Sequence, residues 1–257
     1  MRENGESAKD HRKADAKAKP LGRSRGSALI KFSCNETHTS RAFTNVDRMT
    51  DIVLFGIGSP LVVEYAETCR RLGYRIVAAV RNRPGAVFFE NDAAIVDVRE
   101  LASPPVDAAC FCPMFTPDNR RTAVAEAVAF GFTFSQALID PTAIVASRTT
   151  IGGGSYLNAG CIIGAEARLG EHVIVNRGAT VGHHAVLGAL VSLGPGAILA
   201  GDVTLGAGVM VGAGSIVTPL VTIGADAVIG AGAVVVGDVP PRAKVFGNPG
   251  RIVEPML

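Results

Sequence analysis

From Ile139 to Val235 an aliphatic residue returns at every sixth position, seventeen times without a missed beat: Ile139, Val145, Ile151, Leu157, Ile163 and so on to Ile229 and Val235. Two places before each one stands a small or β-branched residue, such as Ala143, Cys161, Ala185 or Val209. One place after it, Gly or Asn occurs in twelve of the seventeen hexads, among them Gly164, Asn176, Gly194, Gly212 and Gly230. Neither an α-helix nor an ordinary alternating strand holds phase for that long at six. A sustained hexapeptide period belongs to a parallel β-helix, in which short strands meet at corners and stacked coils share one core. The aliphatic then points into a narrow prism, the small residue fits beside it, and the Gly or Asn is expected to take unusual backbone angles at the corner. Seventeen hexads at three per coil make between five and six coils.

Ahead of the repeats lies a different pattern. DIVLF is an apolar run, Gly56-Ile57-Gly58-Ser59-Pro60 a turn, and Leu61 to Arg71 has helical spacing. Gly73 stops that helix, and Tyr74 to Val80 is a second strand. Further strands are expected at Ala94 to Val98, Ala108 to Phe111 and Phe132 to Phe134, with a helix from about Asn119 to Phe130. The resulting small α/β domain is Rossmann-like. Its glycine turn leaves N–H groups at a helix N-terminus, which suits a phosphate, so Gly56, Gly58 and Ser59 are candidate substrate-binding residues. Their spacing lacks the third glycine of the dinucleotide fingerprint, and Arg81-Asn82 stands where an acid would bind a ribose. A turn glycine in an ordinary α/β domain accounts for them equally well.

The expected organisation is a basic, disordered leader over 1–48, the α/β domain over 49–136, the β-helix over 137–239 and a C-terminal cap over 240–257. Pro240-Pro241 is expected to end the coils, since proline cannot donate to a ladder. The leader carries 11 Lys/Arg against 6 Asp/Glu, and the rest of the chain 14 against 17. Few apolar residues and only two aromatics, Phe32 and Phe43, point to a solvated segment rather than a nucleic-acid arm. No apolar run reaches the ~20 residues of a membrane span. The first residues lack the apolar stretch of a secretory signal, so the expected location is cytoplasmic. The five cysteines follow no paired framework; Cys161 takes a small inward position, and Cys110 and Cys112 alternate in a strand-like run as core residues do.

Only three histidines fall in the repeats: His172, His183 and His184. His183 lies two places after Val181, at a corner, where an imidazole on a rigid scaffold can take a proton from an amine or hydroxyl. A solvated surface histidine is the alternative reading. The surrounding residues, NRGATVGHHAVLG, then GPGAILAGDVTLGAGVMVGAGSIV and a terminal GNPGRI, resemble the hexapeptide-repeat acyltransferases. The smaller domain ahead narrows the resemblance to the NeuD-type sugar O- and N-acetyltransferases, over residues 51 to 253.

That resemblance implies a left-handed β-helix, a homotrimer, and acetyl-CoA as co-substrate in the groove between neighbouring β-helices, with no metal. It implies a sugar or nucleotide-sugar acceptor. It makes His183 the general base and Asn176, seven residues earlier, an active-site asparagine. Gly212-Ala213 and Gly230-Ala231 would border the pantetheine arm. Two positions depart from the family pattern. The acid that usually follows the catalytic histidine is His184 here, and the second histidine nine residues on, near the thioester, is Ser192. A loop that carries Gly-Asn in nucleotide-sugar binders reads MFTPDNR. Two rival readings are a non-catalytic β-helical binding protein and a zinc enzyme like the γ-type carbonic anhydrases. For the second, His172 and His184 lie two-thirds of a coil apart, so ligands would converge only across subunits.

Overall fold

The computed structural model describes residues 50–89, 95–105 and 107–253. The leader, including Cys34, lies outside the described residues. The chain opens with β1 (Asp51–Phe55), α1 (Val62–Leu72), β2 (Arg75–Arg81), β3 (Ile95–Asp97), β4 (Ala109–Phe111) and α2 (Pro117–Ala129). These strands form one parallel sheet in the order β3-β2-β1-β4. Both faces of β1 are buried, so DIVLF reads as a continuous apolar run rather than an alternating one. Gly73 closes α1 in the left-handed conformation, its N–H bonded back to the Arg70 carbonyl.

The expected strand over Phe132 to Phe134 does not form. After Gly131 the segment leaves the sheet, because its rings have better partners elsewhere. Phe132 packs edge-on against Phe55 in the α/β core, and Phe134 stands against the His172 ring at the first coils.

From Leu138 the chain winds as a left-handed parallel β-helix of two-residue strands with three faces. Each strand pairs with the one 18 residues later, as Thr180 does with Ile198 and Leu187 with Leu205. One face runs β5 (Leu138–Ile139), β8 (Tyr156–Leu157), β11 (Ile174–Val175), β14 (Ser192–Leu193), β17 (Met210–Val211) and β20 (Val228–Ile229). The next runs β6 (Ile144–Val145), β9 (Ile162–Ile163), β12 (Thr180–Val181), β15 (Ile198–Leu199), β18 (Ile216–Val217) and β21 (Val234–Val235). The third has β7 (Thr150–Ile151), β10 (Arg168–Leu169), β13 (Val186–Leu187), β16 (Thr204–Leu205) and β19 (Thr222–Ile223). The second residue of each strand is the hexad aliphatic, and from Leu157 on it is buried in the prism with the small residues Cys161, Ala167, Ala185 and their successors.

The corner glycines serve a different purpose from the one expected. The left-handed backbone sits three places after the aliphatic, at Gly154, Gly160, Glu166, His172, Gly178, His184, Leu190 and Asp202. The glycine one place after it answers to close approach. A Cβ on Gly164 would lie 2.7 Å from the His183 nitrogen, and one on Gly188 would lie 2.6 Å from that of Ala207. Stacked coils leave no room for a side chain there.

The stack also continues past Pro240-Pro241. Val239 bridges Ile223, β22 (Lys244–Phe246) adds a parallel strand to β20, and β23 (Arg251–Val253) closes that face antiparallel. The prolines occupy a corner, where no ladder N–H is required.

The face that begins with β5 carries the α/β domain. Its outward residues Leu138, Tyr156, Ile174 and Ser192 are buried, and Tyr156 stacks on Tyr65 of α1 with ring centroids 3.9 Å apart. Arg120 of α2, itself buried, ties the two halves together. Its guanidinium donates to the carbonyls of His172 (2.9 Å), Met114, Phe115, Leu190 and Val191 and to Ser192 Oγ (2.9 Å). Burial lowers its pKa to about 10, so the cation persists at neutral pH. Four described cysteines, Cys69, Cys110, Cys112 and Cys161, are buried free thiols in these cores.

Asp140 closes the junction between the halves. It accepts from Thr68 (2.9 Å), from the Thr142 hydroxyl (2.6 Å) and backbone (2.9 Å), and from Arg71 (3.2 Å). Burial pushes this carboxyl up. The Thr142 and Thr68 hydrogen bonds and the Arg71 charge outweigh it and hold the pKa below the usual value. A depressed carboxylate contributes stability above its unfolded-state pKa and loses it as pH falls through the folded one. Urea midpoints of the wild type should therefore fall more steeply below about pH 4 than those of Asp140→Asn, the two curves converging in acid. Parallel curves would contradict this role.

Candidate active site

Residues 18 apart stack in columns along each corner, and this decides which side chains meet. The corner between β12 and β13 holds the column Ala165, His183, Gly201 and, beside it, Glu166, His184, Asp202. His183 is exposed, and its ring rests on Gly201: a Cβ there would lie 2.5 Å from His183 Nε2. The His183 and His184 rings stand edge to face, with their Nδ1 atoms 3.0 Å apart. Asp202, brought up by the next coil, places Oδ2 3.7 Å from His183 Nδ1. The Asp202 N–H also donates to the His183 carbonyl (2.9 Å), so the backbone fixes the two residues relative to each other.

Asn176 is not brought to His183 within the chain. It lies at the opposite edge of the same face, nearly buried, and its Oδ1 accepts from Asn158 Nδ2 (3.0 Å) and the Arg177 N–H (2.8 Å). Gly212 and Gly230 continue its column. Gly212 is half-buried and Ala213 and Ala231 are exposed, whereas Gly230 is covered by the ring of Phe246.

Ser192 cannot serve at a thioester on this corner. It is fully buried beneath the α/β domain, donating to the Phe115 carbonyl (2.6 Å) and accepting from Arg120. The outward position that it occupies belongs to the face that the α/β domain covers. His172 is also buried, its ring against Phe134, and burial lowers its pKa. It does not converge with His184. Among the described residues, the potential ligand atoms that do converge are those of His183, His184 and Asp202, within 4.8 Å of one another and all exposed.

In the α/β domain, a cavity of about 470 Å³ is lined by Gly58 and Ser59 and by Asn82, Arg83, Met114 to Thr116 and Asn119. The glycine turn and the MFTPDNR loop thus meet in one place. Gly56 stays buried behind them, its φ of +87° and the adjacent Met114 side chain leaving no room for a Cβ. Asn82 and Arg83 are both held by Glu126.

No protein-family model and no curated protein matches the sequence. Solved structures do. A mutant of perosamine N-acetyltransferase from Caulobacter crescentus, in complex with CoA and GDP-perosamine, is 30% identical with a TM-score of 0.70, covering 80% of this chain and 97% of that one. The acetyltransferase domain of PglB from Neisseria gonorrhoeae FA1090 is 31% identical with a TM-score of 0.71, covering 79% and 99%. The chain belongs to the hexapeptide-repeat sugar acetyltransferases. WeeI from Acinetobacter baumannii AYE, at 24% identity and a TM-score of 0.66, shares the fold.

Within this sugar acetyltransferase fold, sequence reasoning placed His183 and His184 but missed Asp202. The signal was present: Asp202 is 18 residues beyond His184, in the same hexad phase. The seat of the ring is open to test. Gly201→Ala should displace the imidazole while leaving the coil intact, because Gly201 does not need a left-handed backbone. Loss of the contact between the two imidazoles by NMR, with an unchanged far-UV spectrum, is the expected result.

Proposed function

We propose that this chain transfers the acetyl group of acetyl-CoA to an amine or hydroxyl of a nucleotide-linked sugar, with His183 as general base. The observation that carries this reading is the exposed corner imidazole of His183 on its glycine seat, in a chain that matches sugar acetyltransferases over nearly their whole length. His183 Nε2 would take the proton of the attacking group as that group adds to the thioester carbonyl. Collapse of the tetrahedral oxyanion then releases the CoA thiolate, which leaves with the proton. Donors lining the groove would hold the oxyanion.

A homotrimer completes the site in this reading. The face that begins with β6 presents Ile144, Ile162, Ile198 and Ile216 to the outside, an unusually apolar row for an exposed sheet. If three copies turn this face to a common axis, the contact is heterologous, and one edge of the face meets the opposite edge of the next copy. That arrangement sets His183 of one subunit across from the Asn176, Gly212-Ala213 and Ala231 column of its neighbour. Pantetheine would run along that column, with Phe246 rather than Gly230 forming its far wall.

The 470 Å³ cavity is the proposed acceptor site, with Gly58, Ser59 and Arg83 toward the phosphates. GDP-perosamine in the Caulobacter enzyme supports a nucleotide-linked amino sugar as the class to try first. We assign residues 49–136 to acceptor binding, 137–239 to catalysis and 240–257 to capping. Use of acetyl-CoA and the buried free thiols favour the cytoplasm, and no described helix is long and apolar enough to cross a membrane.

Thiol release from acetyl-CoA with a panel of nucleotide-linked amino sugars tests the reading. His183→Ala should lower turnover at least about a hundredfold. Equal rates in the two proteins would refute it.

A further inference from the structure

The family's acid is missing beside His183, yet a carboxylate faces the ring. We propose that Asp202, supplied by the next coil, is the positioning residue for His183. This rests on His183 being the base. To accept a proton at Nε2, the neutral ring must carry its own proton on Nδ1, so that nitrogen needs an acceptor. Two groups face it. His184 Nδ1 lies at 3.0 Å and Asp202 Oδ2 at 3.7 Å.

Between two imidazoles alone, either ring can hold the proton that lies between their Nδ1 atoms. If His184 held it, the His183 lone pair would sit on Nδ1, turned away from the groove. A carboxylate paired with His183 favours the form in which His183 is the donor. It also favours the imidazolium that exists once Nε2 has taken the substrate proton, since an opposite charge within ~4 to 6 Å stabilises the charged form.

The other charges nearby do not compete for this role. Glu166, one coil back in the same column, is paired with Arg148 at 2.6 Å. Asp202 is held for its task by the backbone hydrogen bond to the His183 carbonyl and by its place in the column. Its φ of +60° matches His184 at +58°, a conformation that Asp and Asn tolerate better than most residues. The helical repeat thus delivers from residue 202 what the family delivers from the position of His184.

Asp202→Asn keeps the size and the backbone preference, so it isolates the charge. The expected result is a fall in kcat/KM of roughly tenfold, smaller than loss of the base itself, with the KM for acetyl-CoA little changed. Placing a carboxylate back by His184→Asp in the Asp202→Asn background should restore the rate.

Imidazole ¹⁵N NMR provides a readout without turnover. The wild-type His183 ring should carry its proton on Nδ1, and Asp202→Asn should shift it toward the other tautomer. No rescue by His184→Asp, or an unchanged tautomer, would overturn the assignment to Asp202. If the wild type proves inactive on every acceptor, the acetyl-transfer reading falls, and the NMR comparison still decides whether Asp202 positions the ring.

Discussion

Consecutive coils of this protein touch backbone to backbone at their corners, and the rest of the structure depends on that contact. With only a hydrogen where Gly164, Gly188, Gly194 and Gly212 face the following coil, the rungs stack in strict 18-residue register. A side chain at these points would push the coils apart and break the phase. The register then turns sequence distance into spatial position. Residues 18 apart become neighbours, and a column of corner residues acts as a short ladder of interchangeable positions.

The three faces of the prism have separate roles because the outward residue of each two-residue strand is free to vary. Tyr156, Ile174 and Ser192 build the floor for the α/β domain, with Arg120 bonded to carbonyls on both sides of that junction. The isoleucine row from Ile144 to Ile216 builds an apolar face whose two edges carry His183 and Asn176. The remaining face, with Thr150, Arg168, Thr204 and Thr222, is mostly polar. One repeating backbone therefore presents three chemically different surfaces.

Much of this was legible before any coordinates. The unbroken aliphatic beat specifies the prism, and the corner position of His183 follows from counting two past Val181. The limits lay where a residue's partner is set by three-dimensional stacking. Glycine after the aliphatic was assigned to backbone angle, whereas the left-handed turn comes two places later and steric contact with the next coil excludes a side chain. Ser192 was placed by its distance from His183 along the chain, but strand parity turns it outward onto the face that the α/β domain buries. Phe132 to Phe134 alternate like a strand, yet their rings pack on Phe55 and His172. Nothing in a single sequence marks which helix face meets a distant domain, so the buried role of Arg120 emerges only with the structure. Asp202 was within reach, since the same 18-residue arithmetic that stacks the aliphatics places it beside His183.

The claim that joins these observations is that the apolar face of one prism meets that of another copy, closing a groove over the imidazole. A crystal structure of the assembled protein with CoA tests it most directly. The account predicts a trimer with the CoA sulfur between two subunits, within ~4 Å of His183 Nε2 or bridged to it by one water, and the pantetheine against Ala213 and Ala231 of the partner. CoA seated in the α/β cavity, or a His183 ring open to bulk solvent in the assembly, would contradict it.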